Sequence, residues 1–297
     1  MKFNELCSLI NDLATTMTFQ EAGNQLEKVI FNCSKKDFMP LITEIGTIPE
    51  CIGHDSTEEK LYSKVSDIIL AKCFHELGLK AIVLQERSNS ADIAAKSIYH
   101  DYSLVGDAKS FRLSRTAKNQ KDFKVESMDH WRGAHDYSVL VCPYFQYPKT
   151  VSQIYGQALN NNVSLFSWEY FSILLQNNMK ETEKINLSIL WNQSSVISGD
   201  TSVADKNNCF FIQQNKNICN FMHISDDTFE AHLSLFKQSM IERGEAEIDF
   251  WKRKIEEIQT YTREKAINEL IVSLKLNEKI AAITKFTDSL RKDYGYK

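Results

Sequence analysis

Five short apolar runs between residues 81 and 168 constrain this chain more than any other feature. "AIVLQ", "ADIAA", "YSLVGDAKSF", "SVLVC" and "VSLFSW" are all of strand length. "SVLVC" is apolar at consecutive positions, as a strand covered on both faces must be. Segments with helical spacing lie between and after the later runs: "KVESMDHWRG", "SQIYGQALNN" and "WEYFSILLQNN". Strands alternating with helices predict an α/β (α+β) fold, a mixed central sheet flanked by helices, centred on residues 50–180.

The flanks read as helical. "FNELCSLINDLATTM", "TFQEAGNQLEKVIFNC" and "STEEKLYSKVSDIILAKCFHEL" repeat apolar residues at spacings of three and four, the last ending at Gly78, a C-cap signal. After Ile185 the chain turns polar, and "NQSSVISGDTSVADKNN" reads as a linker. From Ser225 and Asp226, a helix start signal, the pattern is almost continuously helical with alternating charge. The expected division is a core with N-terminal helices over residues 1–185 and a helical subdomain over 186–297, packed on the core or on a partner subunit.

Composition narrows the setting. No apolar run approaches the roughly 18 residues that span a bilayer, and the first segment is interrupted by Asn, Glu and Asp. The expectation is a cytoplasmic protein with no membrane association. Seven cysteines form no CxxC pair and read as reduced, and the seven histidines show no zinc spacing.

Net charge is -4, yet residues 107–124, "DAKSFRLSRTAKNQKDFK", hold six basic and two acidic residues, so the rest of the chain sums to -8. An acidic protein with one concentrated basic stretch can bind a polyanion, because only charge facing the phosphates releases counterions. A solvated helix face or loop is the structural alternative.

On a strand, side chains alternate, so Asp107 and Lys109 share a face. Fifteen residues earlier, Asp92 opens the neighbouring strand run, and a hairpin would bring the two carboxylates together. Adjacent carboxylates repel unless a cation neutralises them. Mg²⁺ suits that role, with Asp92, Asp107 and a backbone carbonyl, that of Ala108, as oxygen ligands. Lys109 would then orient water or stabilise developing charge, and the chemistry is phosphodiester hydrolysis.

A second Asp-x-Lys, Asp122 to Lys124, competes for the role. Its flanks lack a buried strand run, which favours an accessory ligand or phosphate clamp. Glu59 is a further metal candidate, although Ser56 and Glu59 also have capping-box spacing. Within the basic stretch, Asn119 and Gln120 are residue types that read base edges, interleaved with Lys118 and Lys121. Arg112, Arg115 and Lys124 suit phosphates. A cation at every third position drifts around a helix, so the segment is expected to bend around its ligand.

At "GDAKSFRLSRTAKNQKDFKV", with "STEEKLYSK" upstream and "PYFQYP" and "LFSWE" downstream, the chain closely resembles the HindIII family of type II restriction endonucleases. The similarity is densest over residues 50–170. The resemblance implies a PD-(D/E)xK nuclease core, Mg²⁺ dependence, a homodimer, and cleavage of double-stranded DNA at AAGCTT after the first A, leaving four-base 5′ overhangs. It also implies a cognate DNA methyltransferase in the same cell. Carried over by residue, the motif falls on Asp92, Asp107 and Lys109, with further site residues at Asp122 and Lys124. One departure is that Asp92 follows Ala91, not proline. A repair or structure-specific nuclease, or a non-catalytic DNA-binding protein, are the alternatives.

Overall fold

In the computed structural model the described residues are 1–84, 90–115, 120–148, 152–202 and 205–293, with the side chains of residues 120 and 289–293 set aside. Four helices precede the sheet: α1 (Phe3–Thr16), α2 (Phe19–Phe31), α3 (Lys35–Glu44) and α4 (Thr57–Glu76). α2, α3 and α4 start on Thr18, Ser34 and Ser56, whose hydroxyls accept the N–H groups of Glu21, Asp37 and Glu59. Each cap satisfies a donor the helix leaves open.

The sequence reading omits α3, because Pro40 lies inside it and reads as a breaker. Phe38, Leu41 and Ile42 of α3 are fully buried, and that burial outweighs the one hydrogen bond proline forfeits. α4 is buried along most of its length. It is followed by Gly78 at φ +92, where an added Cβ would meet the Glu181 carbonyl oxygen at 3.0 Å, so the cap suits glycine.

The five expected strands form one sheet: β1 (Lys80–Val83), β2 (Ile93–Lys96), β3 (Ser103–Ala108), β4 (Tyr137–Cys142) and β5 (Val163–Ser167), paired in that order. β1, β2 and β3 run antiparallel to their neighbours, while β3, β4 and β5 are parallel. The parallel half needs crossovers. These are α5 (Gln120–Phe123) and α6 (Val125–Arg132) before β4, and α7 (Gln153–Asn161) before β5; α8 (Trp168–Gln176) follows β5 directly.

Alternation along the strands builds two cores. Leu104, Val139, Val141 and Phe166 face one, with the apolar sides of α1 to α4 and α8. Val105, Leu140, Cys142 and Leu165 face the other, with Phe123, Met128 and Ile154. The sheet is thus mixed and covered on both faces, and all seven cysteines are free thiols.

Three helices follow: α9 (Ser188–Trp191), α10 (Gln193–Gly199) and α11 (Phe210–Met222), before the long α12 (Asp226–Gln259). α10 occupies part of the stretch read as a linker. Its polar residues turn inward: the Ser194 hydroxyl donates to the Val163 carbonyl at 2.6 Å, and buried Gln193 donates to Ile189 at 2.8 Å. Polar composition therefore marks satisfied backbone here, not solvent.

One compact unit runs from Met1 to Gly244. The second unit, Glu245–Lys297, holds the end of α12 with α13 (Arg263–Ser273) and α14 (Leu276–Asp293). Among the described residues no helix is long and apolar enough to cross a membrane.

Candidate active site

β2 and β3 pair with Ile93 opposite Gly106, and the next step of that register sets Asp92 opposite Asp107. Opposed residues share a face, and here their carboxyls are hydrogen-bonded. The turn that fixes the register is held by fully buried Glu181, which accepts the Ser97 and Tyr102 hydroxyls and the Leu187 N–H. Gly106 lets α4 approach β3: a Cβ there would meet Phe74 at 3.3 Å and Leu70 at 3.5 Å.

Lys109 is pinned through its backbone. Its N–H donates to the Val141 carbonyl at 2.7 Å, and its own carbonyl accepts the Trp168 indole N–H at 3.4 Å. The following residues are tied to the loop after α3: the Ser110 hydroxyl donates to Ile45, and the Phe111 N–H to Gly46. The Lys109 ammonium, so placed, contacts Asp107 Oδ2, with side chains only 15% and 2% exposed.

The charges divide unevenly. Burial, then the hydrogen bond and negative charge of Asp107, push Asp92 up to about 8. Burial also works to raise Asp107, but the Lys109 ammonium and the Asp92 hydrogen bond outweigh it, leaving Asp107 below the ordinary value. Burial would lower Lys109, yet Asp107, with Asp92 and Asp67 beyond it, holds it above its usual value. The pair is therefore a protonated Asp92 and a charged Asp107–Lys109 couple near neutral pH.

Asp67 was not singled out in the sequence. It lies inside α4, is 9% exposed, and is pushed well above the carboxylate range by burial, then by Asp92 and Asp107. The Lys64 charge acts on both Asp67 and Asp92. The available signal was a lone acid in the otherwise apolar turn "VSDIIL".

Glu59, two turns before Asp67 on α4, is taken up elsewhere. Its carboxylate accepts from Arg112 at 2.7 Å and from the Asp55 N–H at 2.7 Å, and Ser56 caps its N–H. Arg112 also donates to the Pro49 carbonyl and is 15% exposed, so its donors face the protein. Asp122 pairs with Arg115 at 2.5 Å. Lys124 carries φ +50 at the break between α5 and α6, stands over the Trp131 ring at 5.5 Å, and its charge reaches Asp107. Lys121 and Lys124 line a groove of about 560 Å³ with Trp131 and Gln157. Lys118 and Asn119 lie outside the described residues, as does the Gln120 side chain.

The donor set fits a hard divalent cation. Asp107 Oδ2 is buried and meets the Lys109 ammonium without a hydrogen-bond donor in bonding geometry. Burial, with the facing Asp107 carboxylate, favours the protonated form of Asp92, and a metal ion relieves the repulsion between the two carboxylates as a proton does. Asp92, Asp107 and the Ala108 carbonyl are the oxygen ligands within this pattern, with Asp67 behind them. A different trio, His54, Asp55 and Glu59, has donor atoms within 4.8 Å of one another, but two of the three are exposed and Glu59 is committed to Arg112.

Comparison with known proteins identifies the family. The family model for the HindIII restriction endonuclease matches residues 3–287. The type II restriction enzyme HindIII of Haemophilus influenzae is 43% identical over 287 residues, covering 97% of this chain and 95% of that protein. Among solved structures, the restriction endonuclease FokI bound to DNA aligns with a TM-score of 0.36 and 11% identity, covering 56% of this chain and 32% of FokI, too slight a likeness to argue from. A match along nearly the whole length means that the chain belongs to the HindIII restriction endonuclease family.

Proposed function

We propose that this restriction endonuclease hydrolyses one phosphodiester in each strand of AAGCTT, after the first A, with Mg²⁺, leaving 5′-phosphate ends and four-base 5′ overhangs. The observation that carries the reading is the hairpin register that sets Asp92 opposite Asp107, with the Lys109 ammonium on Asp107. The target comes from the HindIII relationship.

Asp92, Asp107 and the Ala108 carbonyl would hold the metal ion, with Asp67 adding negative charge from α4. When bound, the ion supplies positive charge that polarises the scissile phosphate and acidifies a water. Lys109, fixed through its backbone N–H and carbonyl, orients the attacking water and stabilises the developing negative charge. Lys121 and Lys124 hold the phosphate chain along their groove. Asp122 keeps Arg115 in position beside it. Lys118, Asn119 and Gln120 read base edges. The enzyme acts as a homodimer on double-stranded DNA in the cytoplasm, alongside a methyltransferase that protects host sites.

Digestion of a sequenced plasmid by the purified protein with Mg²⁺ tests this. Discrete fragments ending at AAGCTT are expected. Discrete ends at another palindrome would overturn the site, ends without a palindrome would favour a repair nuclease, and intact DNA with every divalent metal would favour a non-catalytic DNA-binding protein.

A further inference from the structure

A cavity of about 200 Å³ opens between the loop after β4, α7 and the start of α11, and it shares no lining residue with the hairpin site or the lysine groove. Its walls include the rings of Tyr144, Tyr147, Tyr155, Phe210 and Phe211. The Phe211 ring centroid lies 5.3 Å from Tyr144, 4.9 Å from Tyr147, 6.0 Å from Tyr155 and 5.5 Å from Phe210. Tyr144 and Phe211 are half-buried, which leaves ring surface for an occupant.

The tyrosine hydroxyls are turned to protein partners. Tyr147 donates to the Leu140 and Phe166 carbonyls, Tyr155 donates to the Pro148 carbonyl, and Tyr144 accepts the Asn215 amide at 3.0 Å. Burial holds all three hydroxyls above the ordinary tyrosine value. Among the described residues no charged side chain lines the cavity. A phosphate or carboxylate would lose its water there without gaining a partner, whereas a neutral aromatic ring gains offset-stacked and edge contacts. The volume is below the roughly 300–1,000 Å³ of sites for drug-sized ligands, which suits one ring system.

Two asparagines supply polar groups at the rim. Asn208 is committed to Asp205, through its N–H at 3.1 Å and its amide at 2.5 Å. Asn207 is exposed, and its amide has no hydrogen-bond partner among the described residues. It lies against Gly156 on α7, where an added Cβ would stand 3.8 Å from both amide atoms. An asparagine amide offers a donor and an acceptor side by side, the pattern that meets N7 and the 6-amino group of adenine.

We propose that this cavity binds an adenine ring, stacked among the tyrosine and phenylalanine rings and hydrogen-bonded at N7 and its 6-amino group by Asn207. The ring comes from a free nucleoside or from an adenine turned out of a DNA duplex. The wall adjoins the basic stretch through Tyr147, whose ring stacks on Phe123, between Asp122 and Lys124, at 5.7 Å and 17°. The proposal does not rest on the cleavage reading.

Equilibrium dialysis of the full chain against adenosine, without metal or DNA, reads the site. Saturable binding of one adenosine per chain is expected, with a Kd of about 1 mM or tighter. Purine riboside, which lacks the 6-amino group, should bind about tenfold more weakly. Asn207→Ala should bind the two nucleosides equally while keeping the wild-type Tm, because Asn207 is exposed. Repeating the dialysis with a saturating AAGCTT duplex, still without metal, separates the sources. Adenosine displaced by the duplex marks an adenine from DNA in the cavity, and adenosine retained marks a free nucleoside. No saturable adenosine binding, or equal wild-type affinities for adenosine and purine riboside, would overturn the proposal. So would a preference for tetramethylammonium, which the same rings would take if they formed a cation cage.

Discussion

Asp92 faces Asp107 across the β2–β3 hairpin, and the two carboxyls share a hydrogen bond inside a site that also holds the Lys109 ammonium. Acid faces acid there, and the arrangement persists because the register is fixed elsewhere, at Glu181 and at Gly106. A site assembled against its own repulsion is poised for a cation.

Asp67→Asn should weaken divalent-metal binding by about 10- to 100-fold, the range for residues that support metal ligands. Calorimetric titration of Mg²⁺ into the apo protein measures it. An unchanged affinity would make Asp67 a buried bystander.

Glu169 gives a pH effect separate from the hairpin. It is 2% exposed, accepts the Tyr144 N–H at 2.8 Å, and burial raises it to about 7 from 4.5. A folded pKa above the unfolded value means that stability is fully present below about 4.5 and is lost as pH rises through about 7. The loss amounts to about 3 kcal/mol. Glu169→Gln should flatten this part of the denaturant-unfolding profile between pH 5 and 8 and make the variant the more stable protein at pH 8. A parallel profile for both proteins would refute it.

Gly106→Ala should cost about 1–3 kcal/mol, because its Cβ lands 3.3 Å from Phe74 in a packed core. Thermal unfolding would show a lower Tm, by roughly 2–4 °C per kcal/mol for a chain of this scale. No change in Tm would mean that α4 yields freely.

Lys121→Ala and Lys124→Ala should each weaken binding to any duplex and shallow its salt dependence by about one unit of slope, as phosphate contacts do. Titrations at several salt concentrations with AAGCTT and unrelated duplexes check it. Weakening confined to AAGCTT would assign these lysines to base readout.

The hairpin was legible because two strand-length runs separated by a short connection place their aspartates in register, and the strands themselves announce their buried faces through "SVLVC" and "VSLFSW". α3 was hidden by Pro40 and α10 by its serines and glutamine, whose inward hydrogen bonds only tertiary context supplies. Glu59 had two readings, cap and ligand; its N–H is capped by Ser56 and its carboxylate binds Arg112. Asp67 stayed hidden because a lone acid in an apolar helix gains meaning only when the sheet brings other carboxylates beside it.

The most direct measurement is single-turnover cleavage of a duplex containing AAGCTT by Asp107→Asn with Mg²⁺, paired with a binding titration of the same duplex. Loss of one carboxylate from the metal-holding pair should slow cleavage by on the order of 10³-fold or more, with DNA affinity kept within a few-fold because the lysine groove is untouched. Cleavage at the wild-type rate by Asp107→Asn would contradict the account, since the acid–acid pair at the hairpin would then take no part in the chemistry.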